Sequence, residues 1–178
     1  MKASPTLPTG SDANSFKAPP RRVGKLMATP DSFDPSLVLN IDQRITSWGR
    51  LKTSTIVYED GKDIRIPKTA FHVFWWSPNG VDVQELSQNG QDWTEIEDLH
   101  AGIFTSATAG LSVNGKHIKQ QDEKGRALFG NLYSGDIIQV FHQRNECLKF
   151  KCEFYHGKSK EPRPAGESFK VQCGNKLD

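Results

Sequence analysis

Leu148-Lys149-Phe150-Lys151-Cys152-Glu153-Phe154 alternates apolar and charged residues without a break. Successive side chains of a strand point to opposite faces, so this segment has one buried and one wet face as a strand and no apolar stripe as a helix. Shorter runs upstream repeat the theme: Leu37-Val38-Leu39-Asn40-Ile41, Thr55-Ile56-Val57-Tyr58, Asp63-Ile64-Arg65-Ile66, Phe71 to Trp76, Gly110-Leu111-Ser112-Val113 and Ile137-Ile138-Gln139-Val140-Phe141. All are rich in β-branched or aromatic residues. Between them stand Asp60-Gly61, Asn79-Gly80, Asn89-Gly90, Asn114-Gly115 and Ser134-Gly135, pairs suited to the positive φ of tight turns. No window of a dozen residues carries a helical period, and a single helical turn is expected within Asp92 to Leu99. The fold class is therefore all-β, a sandwich of two mostly antiparallel sheets.

With 178 residues and 35% hydrophobic composition, the chain has apolar material for one modest core. Residues 1–20 hold Phe16 as their only large apolar side chain and are expected to be a disordered N-terminal tail. The sandwich is expected over 21–155. Residues 156–178 read as a polar C-terminal tail, in which Ser168-Phe169-Lys170-Val171 either returns as an edge strand or does not.

The 23 Lys plus Arg and 21 Asp plus Glu leave a formal net charge of +2, too near neutral to draw in nucleic acid or a lipid surface by bulk electrostatics. Neither partner is expected, and no run approaches a membrane span. Met1-Lys2-Ala3-Ser4-Pro5-Thr6 lacks the apolar centre of a secretory signal, which points to an intracellular protein. Cys147, Cys152 and Cys173, odd in number and without paired spacing, read as reduced thiols.

Catalytic and cofactor motifs are missing. The phosphate-binding and dinucleotide glycine patterns, H-E-x-x-H and G-x-S-x-G do not occur, and the five histidines have no metal-ligand spacing. Glu95, Glu97 and Asp98 read as a solvated face. No enzyme activity, cofactor, metal or small-molecule ligand is expected.

Four separated segments say more together than alone. Ser47-Trp48-Gly49-Arg50 ends a strand with a flexible glycine and a planar, permanently charged fork. Thr69-Ala70-Phe71-His72 leads a hydroxyl into the aromatic strand. Thr108-Ala109-Gly110-Leu111-Ser112-Val113-Asn114-Gly115 is a hydroxyl-bearing turn, a strand and a hairpin turn. Leu132-Tyr133-Ser134-Gly135-Asp136-Ile137-Ile138 delivers the chain into another strand.

In order and rough spacing these segments resemble the forkhead-associated (FHA) domain, a SMAD/FHA-like β-sandwich that binds phosphothreonine peptides. The resemblance covers roughly Val23 to Phe154. It implies that Arg50 is the phosphate-binding arginine and that Thr69 replaces the phosphate-binding serine with its hydroxyl kept. Thr108 falls on the other hydroxyl of the binding loop, His72 on the buried histidine that braces it, and Gly49, Gly110, Asn114 and Gly115 on structural turns. Ala70 and Ala109 stand where the family has polar contacts, so both contacts are lost. A second alignment puts the loop at Ser87-Gln88-Asn89-Gly90, which restores an asparagine at the cost of a long insertion. By family habit the resemblance further implies a phosphorylated protein partner and a role in signalling. It also implies a nuclear setting, often in the DNA damage response and sometimes beside a kinase domain.

The physical requirement is independent of the name. A phosphate monoester carries about −1.5 to −2 charges, so its reader needs a planar cation and neutral donors converging on one point. Arg50, Thr69 and Thr108 supply these, with Lys68 as an auxiliary cation. With two contacts missing, binding of about −6 to −8 kcal/mol is expected.

Other readings stand beside this one. Ala70 and Ala109 also fit a sandwich that has lost phosphate binding and docks a protein through a sheet face or edge. Trp75 and Trp76 point to opposite strand faces, so one at most is core. The other is an exposed aromatic contact, a sugar-stacking platform or a ring covered by a tail. Lys149 and Lys151 suit an edge strand defended against strand addition. Arg21, Arg22 and Lys25 form a short basic cluster of the kind that serves as a localisation signal.

Overall fold

The computed structural model describes residues 22–63, 65–141 and 147–174. The expected tail over 1–20, and Arg21 of the basic cluster, lie outside the described residues. The strands are β1 (Gly24–Ala28), β2 (Val38–Ile41), β3 (Ile45–Gly49), β4 (Ile56–Val57), β5 (Phe71–Trp76), β6 (His100–Phe104), β7 (Leu111–Val113), β8 (Lys116–Ile118), β9 (Leu128–Leu132), β10 (Ile137–Val140), β11 (Leu148–Phe154) and β12 (Gln172–Cys173). One sheet runs β2-β1-β11-β10-β7-β8 and the other β12-β9-β6-β5-β3-β4. The pairing of β3 with β4 is parallel and the other strand pairings are antiparallel. The expected two-sheet, mostly antiparallel sandwich is what forms.

β11 shows why. Leu148, Phe150, Cys152 and Phe154 are buried, while Lys149, Lys151 and Glu153 face outward. Across the core Phe150 meets Trp48 edge-on at 5.2 Å, and Phe71 packs beside both at 5.6 and 6.0 Å. Trp75 packs against Phe154 at 5.5 Å and Trp93 at 5.9 Å. Such crossed aromatic contacts add specificity to the area they bury. β11 lies between β1 and β10, so Lys149 and Lys151 belong to an interior strand and do not guard an edge. Their alternation marks a wet face only.

Several elements differ from expectation. β6 and β9 carry Gly102 and Gly130, which dilute the strand signal for a packing reason. A Cβ on Gly102 would come within 2.6 Å of the Phe74 ring, and one on Gly130 within 2.1 Å of Phe169. Of the expected strand Asp63 to Ile66, Ile64 lies outside the described residues, and Asp63, Arg65 and Ile66 belong to no strand: the Asp63 carboxylate accepts from the Arg65 amide at 3.0 Å. The one α-helix among the described residues is α1 (Val83–Gln88), begun by the Asp82 carboxylate accepting from the Glu85 amide at 3.0 Å. The segment expected to form a helical turn, Asp92 to Leu99, instead starts with Asp92 accepting from both the amide and the hydroxyl of Thr94.

The C-terminal segment is not a loose tail. Phe169 is buried over Gly130, Ser159 is buried with its hydroxyl accepting from the Ala101 amide at 2.8 Å, and Gln172–Cys173 pairs with β9 as the edge strand. That strand lies just beyond the run Ser168 to Val171. Trp75 and Trp76 are both buried. Trp76 lies on the outer face of its sheet against Phe129, with its Nε1 donating to Asn131 at 2.8 Å, so no exposed platform for a sugar remains there. The three cysteines are unpaired.

Among the described residues no helix is long and apolar enough to cross a membrane, and no three His, Cys, Asp or Glu side chains cluster to hold a metal ion.

Candidate phosphopeptide site

The site begins with a glycine. At the end of β3, Gly49 lies so close to the segment before β5 that a Cβ would meet the Lys68 carbonyl oxygen at 2.3 Å and the Thr69 Cα at 2.8 Å. The backbone is stitched there: Arg50 N donates to Pro67 at 3.1 Å, Leu51 N to Lys68 at 2.9 Å and Ala70 N to Trp48 at 2.8 Å. Arg50 is therefore held beside Thr69, although 19 residues separate them in the chain.

The Arg50 Nε donates to the Ile66 carbonyl at 2.9 Å, which anchors the root of the guanidinium. An arginine has five N–H donors, so its two terminal amino groups keep theirs. Among the described residues no carboxylate pairs with Arg50. Arg50, Lys68, Thr69 and Thr108 line one cleft of about 550 Å³, whose apolar walls include Pro67 and Phe141. Lys68 and Thr108 are exposed, Arg50 and Thr69 half-buried. All four expected phosphate-binding residues thus share one opening at one end of the sandwich.

The supporting residues divide. Gly110 has φ 72° and takes the Thr108 turn into β7, where a Cβ would meet the Ile118 carbonyl at 2.4 Å. Asn114 and Gly115, at φ 51° and 84°, form the two-residue turn from β7 to β8. The Asn114 side chain accepts from Ile137 N and donates to Asp136, both at 2.9 Å. His72 is different. Its ring is buried and stacked on Phe104 at 4.5 Å, Nδ1 has no partner, and no hydrogen bond reaches it among the described residues. Burial pulls its pKa down to about 4. It fills space as a neutral ring and does not brace a loop by hydrogen bonding.

Ala70 and Ala109 also part company. Ala70 is buried and turned from the cleft, whereas Ala109 is exposed on its wall, with its carbonyl oxygen 2.8 Å from the His117 Nε2. Ser87 to Asn89 end α1 and its cap and do not line the cleft, whereas Thr108 does.

Two residues escaped the sequence reading. Arg65 lines the same cleft, but it donates to Asp63 from Nη2 at 2.6 Å and lies over the Phe33 ring at 4.3 Å, so its charge is already balanced. Thr105 is buried, donating to the Ala70 carbonyl at 2.7 Å and accepting from the Ala107 amide at 3.0 Å. Arg65 was hidden in an expected strand. Thr105 has no signal in sequence, because its partner is 35 residues away.

No family model matches this sequence, and no curated protein does. Solved structures do. The FHA2 domain of Rad53 in complex with a phosphotyrosyl peptide derived from Rad9 superposes with a TM-score of 0.62 at 17% identity, over 86% of this chain and 92% of that one. A second structure of a phosphotyrosine-binding domain containing the FHA2 domain of Rad53 gives 0.61 at 17% identity, over 86% and 79%. The N-terminal FHA domain of S. cerevisiae Rad53p with a phosphothreonine peptide follows at 0.48 and 13% identity, over 75% and 94%. At such identities the likeness shows the fold: this chain is built as a forkhead-associated β-sandwich.

Proposed function

We propose that this forkhead-associated sandwich is a phosphothreonine-peptide recognition module that joins proteins in signalling. The observation that carries it is the shared cleft of Arg50, Thr69 and Thr108, in which the arginine's terminal amino groups face no carboxylate among the described residues.

The phosphate enters as a near-dianion. Arg50 supplies the planar charge-assisted pair, and its Nε bond to Ile66 lowers the entropy lost on binding because the fork is already aimed. The hydroxyls of Thr69 and Thr108 donate from two different segments of the cleft lining, and Lys68 adds a screened positive charge. The rest of the ligand is an extended peptide lying across the loops. Nothing in this scheme breaks or makes a covalent bond, so the module binds and does not catalyse. A nuclear setting in a DNA-damage or checkpoint pathway follows family habit and is part of the proposal.

Titration with phosphothreonine peptides of randomised flanks, against unphosphorylated and phosphotyrosine copies, tests the reading. Phosphate-dependent binding at about 1 to 50 µM, lost by at least about tenfold in a folded Arg50→Ala variant, is expected. The phosphotyrosine arm is included because the Rad53 FHA2 structure holds such a peptide. Equal binding to phosphorylated and unphosphorylated forms would overturn the reading in favour of a docking scaffold.

A further inference from the structure

Thr69 and Thr108 sit on different loops, and their spacing must be fixed before a phosphate arrives if both are to donate to it. One atom does the fixing. The Thr105 hydroxyl donates to the carbonyl of Ala70, the residue after Thr69, and accepts from the amide of Ala107, the residue before Thr108. Ala107 in turn starts a closed turn, its carbonyl accepting from Gly110 N at 3.0 Å, so Thr108 is carried within that turn. The Ala70 amide donates to Trp48, two residues before Arg50. Ala70's two backbone groups thus tie together the segments that carry the arginine and both hydroxyls, and Thr105 is the link to the third. The small buried side chain of Ala70 fits this place, since its backbone and not its side chain serves the site.

We infer that Thr105 is a positioning residue for phosphate recognition, holding the Thr108 turn at a set distance from Thr69. The inference rests on the phosphopeptide reading above. Thr105 is buried and lies outside the cleft lining, and the His72 ring, which the resemblance assigns to bracing, makes no hydrogen bond among the described residues that could take over.

Thr105→Val keeps the shape and removes the hydroxyl; Thr105→Ser keeps the hydroxyl. Against a phosphothreonine peptide selected by the native chain, Thr105→Val is expected to lose about tenfold in affinity, and Thr105→Ser to stay within about threefold. In a Thr108→Ala background Thr105→Val should cost less than about threefold, because the hydroxyl it positions is gone; a merely stabilising role would cost the same factor in both backgrounds. Should Thr105→Val bind within threefold of a native chain that does respond to phosphate, this inference falls and the recognition reading stands. If the native chain shows no phosphate response, both fall. If Thr105→Val does not fold, hydrogen exchange at the Ala107 amide of the native chain decides: protection supports the bridge and rapid exchange overturns it.

Discussion

The Arg163 guanidinium donates from Nη2 to the Asp136 carboxylate at 2.6 Å and from Nε at 3.2 Å, clamping the C-terminal segment onto the turn between β9 and β10. Asp136 is buried and also accepts from Tyr133 N at 2.8 Å and from the Asn114 side chain. Removing one partner strands a charge away from water. Arg163→Ala is therefore expected to cost about 3 to 5 kcal/mol, seen as a lower urea midpoint. A midpoint indistinguishable from the native one would show that water reaches Asp136.

That clamp also marks where the sequence stopped being legible. Phe71 to Trp76 and Leu148 to Phe154 coincide with β5 and β11 because each carries its strand signal unbroken. The Asn114-Gly115 turn was legible for the same local reason. The C-terminal segment was not, since Phe169 fills a socket over a glycine 39 positions earlier. The helix was misplaced because six residues show little periodicity, and what starts it is a single Asp82 cap. At the site, the resemblance picked out Arg50, Thr69 and Thr108, while Arg65 lay inside an expected strand and Thr105 depends on a carbonyl 35 residues away that only folding brings to it.

His72 gives the fold a pH dependence. Unfolded, its imidazole takes a proton near pH 6.5; folded, burial holds it neutral down to about pH 4. Between these values the unfolded chain binds the extra proton, so stability is present above pH 6.5 and is lost as pH falls towards 4. The loss is about 3 kcal/mol at most. His72→Phe, which keeps a ring against Phe104, should show a smaller drop in urea midpoint between pH 7 and pH 4.5 than the native chain. Equal drops would mean that His72 is solvated when folded.

Gly49→Ala separates packing from charge. The added Cβ meets backbone atoms of Lys68 and Thr69 below 3 Å, and backbone does not swing aside as a flexible side chain does. The two segments must part, at about 1 to 3 kcal/mol. Arg50 and Thr69 part with them, so phosphate-dependent binding should weaken although every donor is still present. Unchanged affinity in a destabilised variant would show that Arg50 reaches its ligand regardless of that contact.

The two alanines at the site predict opposite outcomes for the same substitution. Ala109 is exposed on the cleft wall, its carbonyl oxygen within hydrogen-bond reach of His117, so an asparagine there gains an amide facing the ligand on a fixed backbone. One added hydrogen bond is worth about 0.5 to 1.5 kcal/mol, or an affinity gain of about two- to tenfold for a phosphothreonine peptide. Ala70 is 1% exposed, and an asparagine there places a polar amide in the core. Ala70→Asn should therefore cost about 1 to 3 kcal/mol of stability and bring no gain in binding. Calorimetric titration of both variants with one peptide, beside their urea midpoints, tests the pair. Tighter binding by Ala70→Asn would mean that this side chain reaches the cleft.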